Sequence, residues 1–220
     1  NEFKIPCIGG KVSLYNETPS GPIKPTPLIG VLGLIDKKPL VSQKILSGDN
    51  LVIIGDTKDE LGGSEYFEYI HKFIGGNCPT VNFKESKKNM SSVLDSIKQQ
   101  IPKSVHDCSK GGLAVAVAEL CMTNQIGCKV SLNKVPGEKL TDDRILFSES
   151  HSRYLLTINE KNIKKLENIL KKNKVTFQII GKFGSKKIQF VHGTKSIIDL
   201  DVDKAQKTWF NSLKNMVLHG

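Results

Sequence analysis

Four short clusters in this 220-residue sequence gather side chains that can do chemistry together. In the first, Ile5-Pro6-Cys7-Ile8-Gly9-Gly10-Lys11-Val12-Ser13-Leu14-Tyr15-Asn16-Glu17, a hydroxyl, a phenol and a carboxylate recur at every second residue. In extended backbone, Ser13, Tyr15 and Glu17 share one face. Gly9 and Gly10 ahead of them lack the Cβ that would hold the backbone away from a ligand. The same pair would also serve a bulge or tight bend in an ordinary strand.

The second cluster is His106-Asp107-Cys108-Ser109-Lys110-Gly111-Gly112-Leu113. A strand ending in an acid and a hydroxyl, followed by glycines that open a helix, offers an anion the free N–H groups and dipole of a helix start. An Asp there can hold Mg2+ through oxygen. Asp107 or Ser109 could instead cap the first turn, with no ligand at all. The third is Phe147-Ser148-Glu149-Ser150-His151-Ser152-Arg153, where Arg153 can pair with Glu149 or meet a phosphate; a surface loop with one salt bridge is the plainer reading. The fourth, Leu61-Gly62-Gly63-Ser64-Glu65-Tyr66, reads equally as a helix start with Ser64 as N-cap. No Walker A run, no G-x-G-x-x-G after a strand and no H-E-x-x-H occurs. His71, His106, His151 and His192 are dispersed without ligand spacing, though His106 and His151 each lie beside a cluster.

Positioning these clusters calls for strands and helices in alternation. Apolar patterning predicts strands over Phe3–Tyr15, Pro27–Ile35, Leu51–Ile54, Val105–Cys108, Cys128–Leu132, Ser152–Ile158, Phe177–Gly181, Lys187–His192 and Ile197–Leu200, with a turn at Gly184-Ser185. Helices are predicted over Glu65–Ile74, Glu85–Gln100, Leu113–Met122, Leu140–Phe147, around Ile163–Leu170, and over Asp203–Leu213. Met90, Val93, Leu94 and Ile97 mark the inner side of the second helix, and Trp209 and Phe210 dock the last. Pro19, Gly21, Pro22, Pro25 and Pro27 make a loop of limited freedom. The polar stretch after Ile35 reads as a crossing between domains. The fold class is therefore α/β or α+β, in layers.

The net charge of +10 suits either nucleic acid or phosphorylated small molecules. Lysine-rich helical faces such as Lys161–Lys174 account for much of it, and arginine is confined to Arg144 and Arg153, which argues against nucleic-acid recognition. No apolar run approaches the roughly 20 residues of a membrane span. Five cysteines, an odd number without C-x-x-C spacing, point to a reducing cytoplasm rather than a disulfide framework. The chain starts at Asn1 and enters a β-like pattern at once, so an N-terminal portion of a larger protein is expected to precede it.

The four clusters in their order along the chain, together with Pro25-Thr26-Pro27-Leu28-Ile29-Gly30, resemble the C-terminal half of phosphoribosylformylglycinamidine synthase large subunits, within the aminoimidazole ribonucleotide synthetase superfamily. The resemblance runs from Ile5 to about Thr157, and after Lys161 it is one of pattern. It implies that residues 1–36 are the last strands of a β-barrel-like A domain, 37–50 a linker and 51–220 an α/β B domain. It implies ATP-dependent amidation of formylglycinamide ribonucleotide with ammonia from a glutaminase, using Mg2+. By position, Gly10 is similar to the family's ATP-contacting glycine and Ser13 to its substrate-contacting serine. Lys11 stands where the pattern has a Mg2+-ligating Asn; an ammonium cannot ligate a metal but can grip a phosphate oxygen. Asp107 and Ser109 resemble residues of an auxiliary nucleotide site, with Lys110 where a second Asp is expected. The family's catalytic histidine belongs to the first half, so this chain alone is expected to be inactive. The N-terminal half, the glutaminase subunit and a small bridging subunit are the implied partners. A homodimer through open A-domain strands is also expected. Rival readings are another ATP-using relative (selenophosphate synthetase, thiamine-monophosphate kinase or a hydrogenase maturation factor), a non-catalytic assembly module, and a basic RNA-binding protein.

Overall fold

The computed structural model describes residues 1–12, 16–23, 26–35 and 40–219, and the chain divides into two units, Asn1–Lys38 and Pro39–Gly220. In the first, backbone pairs through β1 (Glu17–Thr18) and β2 (Gly21–Pro22), a short antiparallel pair. Thr18 closes the turn between them: its hydroxyl donates to Gly21 O at 3.1 Å and accepts from Ser20 N–H at 3.2 Å. The strands expected over 3–15 and 27–35 are not formed in their described residues. Apolar sequence alone does not make a strand; backbone groups must find partners. Here the apolar side chains stay open, Ile8 at 91% and Leu28 at 98% exposure.

The second unit is built on a seven-stranded sheet. Its elements are β3 (Asn50–Ile54), α1 (Glu65–His71), α2 (Phe83–Lys98), β4 (Ser104–Asp107), α3 (Gly112–Asn124), β5 (Gly127–Ser131), α4 (Asp142–Phe147), β6 (Tyr154–Ile158), α5 (Ile163–Lys172), β7 (Phe177–Ser185), β8 (Lys187–His192), β9 (Lys195–Asp201) and α6 (Val202–His219). The strand order is β4-β6-β3-β7-β5-β8-β9. β5 and β8 run parallel and the other described neighbours antiparallel. Period-two alternation makes two cores. Leu51 and Ile53 of β3 join Leu155 and the α3 residues Leu113, Val117 and Leu120 on one face. Val52, Ile54, Leu156 and Ile158 join Leu166 and Leu170 of α5 on the other. Each fully buried side chain of this kind contributes about 1.5–3 kcal/mol.

Several expectations are corrected by packing. β7 and β8 do not form a hairpin around Gly184-Ser185, because β5 lies between them. α1 stops at His71, with Lys72 in the left-handed conformation, and it buries none of its residues. α2 turns serines inward, not its full apolar set. Ser86, Asn89, Ser92, Val93 and Ser96 are buried while Met90 and Leu94 face out. Small hydroxyls bring this helix close, and Asn89 donates to Ser152 O at 3.1 Å while Asn173 donates to Ser92 Oγ at 2.9 Å. Trp209 and Phe210 do not dock α6; they are 54% and 69% exposed. Part of the polar stretch 37–50 packs into this unit: Ile45 is in the core, and buried Asp49 meets Lys103 at 2.7 Å.

Candidate functional site

Three of the four clusters meet at one end of the second unit. Ser64 caps α1 as its sequence predicts, its hydroxyl accepting from Phe67 N–H at 3.3 Å. Glu149 reaches the same helix from the segment after α4. One oxygen, Oε1, accepts from Glu65 N–H at 3.0 Å and from Gly111 N–H at 2.8 Å. A carboxylate therefore sits between the starts of α1 and α3, where helix dipoles favour negative charge. Lys110 adds a bond to Glu65 at 2.8 Å, which raises the lysine's pKa. Tyr66 stacks on Phe147 with ring centroids 4.6 Å apart.

Beneath this lies Arg153, 1% exposed. Its guanidinium donates to Ser150 O at 3.1 Å, to Thr57 Oγ1 at 3.1 Å and to Ser148 O. Arg153 thus neither pairs directly with Glu149 nor offers itself to a phosphate, and its cluster is no surface loop. Burial lowers its pKa, while Cys108, Glu60 and Glu149 nearby oppose that. The loop before α1 is sewn to the same segment: Glu60 N–H donates to Ser148 Oγ at 3.3 Å and Glu149 N–H to Glu60 O at 3.1 Å. Glu60 itself was not singled out by sequence, although it directly precedes Leu61-Gly62-Gly63. Its Oε1 accepts from Thr80 N–H at 3.0 Å, and its Oε2 is buried without a described partner.

The glycines opening α3 are consumed by this packing. Gly112 has φ 64°, and a Cβ on it would lie 2.5 Å from Ser148 O. Its N–H donates to Ser109 O at 3.0 Å, and the Gly111 N–H is taken by Glu149. Two N–H groups of the anion cradle expected at this helix start are thus taken from within, and neither Asp107 nor Ser109 caps the helix, which has no side-chain cap at Gly111. Asp107 and Ser109 are exposed beside it. His106 lies on the other face of the edge strand β4, its Nε2 3.2 Å from Glu119 Oε2. Burial pushes the Cys108 thiol up to about 11.

Gly10 and Lys11 are exposed in the first unit, and a Cβ at Gly9 or Gly10 would meet nothing within 4 Å. Ser13 lies outside the described residues, as does Tyr15. Among the described residues, no group of three or more His, Cys, Asp or Glu could hold a metal ion. Asp107 alone is not a Mg2+ cage, so the chain's described residues do not fit a self-contained metal site.

A family model described as AIR synthase related protein, C-terminal domain, matches residues 47–193. The phosphoribosylformylglycinamidine synthase subunit PurL of Methanocaldococcus jannaschii is 39% identical over 98% of this chain, which covers 30% of that protein. The corresponding subunit of Thermococcus sibiricus is 36% identical over 98% of the chain, again covering 30% of it. The chain therefore spans about a third or less of the curated relatives it matches. Among solved structures, T. maritima PurL complexed with FGAR superposes with TM-score 0.68 at 17% identity, over 75% of this chain and 29% of that one. E. coli HypE, a hydrogenase maturation protein, gives TM-score 0.55 at 15% identity, over 73% and 52%. At such identities these structures share the fold.

Proposed function

This chain belongs to the family of AIR synthase related proteins, through their C-terminal domain. On that premise we propose that it is the C-terminal portion of the synthetase subunit that converts formylglycinamide ribonucleotide to formylglycinamidine ribonucleotide. The observation that carries this reading is an alignment running through nearly the whole chain, both units included, to subunits of that synthase. In the complete subunit, ATP would activate the formyl amide oxygen by phosphoryl transfer, and ammonia from a glutaminase would displace the phosphate. Positioning and charge stabilisation supply most of such catalysis.

This chain's share is a phosphate grip in the first unit. Gly10 gives ATP an approach free of any Cβ. Lys11 supplies an exposed ammonium to a phosphate oxygen, and Ser13 a hydroxyl to the substrate. Mg2+ would be ligated chiefly by the rest of the subunit, since Lys11 cannot ligate it. An auxiliary nucleotide at Asp107 and Ser109 would be held by their exposed side chains, because the Gly111 and Gly112 N–H groups beside them are occupied. The assembly named for T. maritima, PurLQS, supports partners of two further kinds, which we assign to a glutaminase subunit and a small bridging subunit. A cytoplasmic setting follows from this chemistry, and no helix among the described residues is long and apolar enough to cross a membrane.

The test is nucleotide affinity. In the complete subunit, Lys11→Ala should raise the KM for ATP roughly tenfold, the loss of one charged phosphate contact. An unchanged KM would remove the Lys11 assignment. A second reading draws on the open Ile8, Leu28 and Leu32 of the first unit, 89–98% exposed. There the chain is an assembly module whose N-terminal segments pair as strands only with a second copy or with the N-terminal half. A cleanly monomeric sedimentation profile would count against homodimer formation.

A further inference from the structure

A hollow of about 480 Å³ lies between the edge strand β4 and the helices α3 and α6, and neither Glu149 nor Arg153 lines it. Helical spacing makes two of its walls. Glu119, Met122 and Thr123 of α3 stand at i, i+3 and i+4, and Gln206, Trp209 and Phe210 of α6 repeat that spacing, so each helix turns one face to the hollow. His106 closes the β4 side. The hollow has the size of a small-molecule site and the usual make-up of one, mostly apolar with a few polar groups converging on it.

The polar end is a pair of acceptors short of a proton. His106 Nδ1 lies 2.6 Å from Asp107 O. A carbonyl only accepts, so Nδ1 carries the N–H, and in a neutral ring Nε2 is left as an acceptor. That Nε2 lies 3.2 Å from Glu119 Oε2. Two acceptors then face each other at the border of the hollow, and a ligand N–H group placed against them satisfies both. An imidazolium would satisfy Glu119 with no ligand at all, and the experiment below separates the two cases.

The walls define the rest of the occupant. Trp209, Phe210 and Met122 offer ring faces and a polarisable sulfur to a flat ring, and both aromatics are more than half exposed, so there is surface to cover. No lysine or arginine lines the hollow, and Glu119 repels a phosphate. We propose that this hollow binds a flat nitrogen heterocycle that carries an exocyclic amino group and no phosphate, its amine directed to His106 and Glu119. The phosphate grip proposed above belongs to Lys11 of the first unit, so neither reading rests on the other.

Trp209 is the chain's single tryptophan, so its emission reports on this hollow. The full chain at pH 8 would be titrated with three probes: adenosine, purine riboside, which lacks the amino group, and AMP. Saturable quenching by adenosine is expected, with purine riboside binding roughly tenfold more weakly and AMP gaining nothing from its phosphate. Glu119→Gln, at a partly exposed position, hands Nε2 a donor of its own and should weaken adenosine roughly tenfold. His106→Leu, which removes the other acceptor, should do the same. No saturable quenching by adenosine would mean that a protonated His106 satisfies Glu119 by itself, and would overturn the proposal. So would equal affinities for adenosine and purine riboside, tighter binding of AMP, or an adenosine affinity unchanged in either folded variant.

Discussion

Two glycine pairs carry the nucleotide expectations of this chain, and they sit in opposite surroundings. Gly9-Gly10 lies in the open, with nothing within 4 Å of where a Cβ would be. Gly111-Gly112 is closed in at positive φ, Gly112 pressed against the end of α4 and Ser148, with its N–H groups taken by Glu149 and Ser109. The same dipeptide thus serves opposite ends. One pair leaves backbone available to whatever binds, and the other lets two parts of the fold close on each other. A glycine pair in a sequence signals close approach; only packing says whether a ligand or the protein's own backbone approaches.

The comparison can be broken by mutation. Arg153→Ala, at the base of the closed site, should cost about 3–5 kcal/mol, since it opens a buried hydrogen-bonded cluster around the Ser148 and Ser150 carbonyls. Gly112→Ala should cost on the order of 3 kcal/mol through left-handed strain and the clash with Ser148 O, whereas Gly10→Ala should stay within about 0.5 kcal/mol. Chemical denaturation of the three variants checks both statements. Equal losses at Gly10 and Gly112 would erase the contrast. Glu149→Ala, removing the shared cap of α1 and α3, should cost about 1–2 kcal/mol, with faster amide exchange at Glu65 and Gly111.

Thiol labelling sharpens the contrast without mutation. Cys7 and Cys78 are exposed, while burial pushes Cys108 up to about 11 and Cys121 up to about 12, and holds Cys128 well above the ordinary thiol range. At pH 8 an alkylating reagent should modify Cys7 and Cys78 in the folded chain and the other three only after denaturation. The smallest effect is that of Lys110. Its pKa is raised by the bond to Glu65, so its stabilisation is complete below the unfolded lysine value of about 10.4 and is lost as pH rises through the higher folded value. Because the lysine is largely exposed, screening leaves this contribution small. A Lys110→Met variant should match the parent above that pH and fall slightly below it at neutrality.

Periodicity made much of the second unit legible in advance. Leu51–Ile54, Leu113–Met122 and the Ile163–Leu170 stripe each sit within an element of the predicted type. Local pattern could not reveal partner choice: β5 inserting between β7 and β8, or serines rather than Met90 and Leu94 facing inward on α2. At the site, the cluster motifs were visible as motifs, and Ser64 was legible as a cap. Glu149 bridging two helix starts was not, because its contacts join residues 38 and 84 positions apart. The first unit's strands failed for a related reason. Their apolar residues were read correctly, but a strand exists only with a neighbour.

The proposed role in amidine synthesis is tested most directly by phosphate release from ATP in the presence of formylglycinamide ribonucleotide and ammonium. The chain would be assayed alone and as part of the complete subunit. No release by the chain alone, and substrate-dependent release by the complete subunit, is the predicted result. Turnover by the chain alone, or a complete subunit whose phosphate release ignores formylglycinamide ribonucleotide, would contradict it.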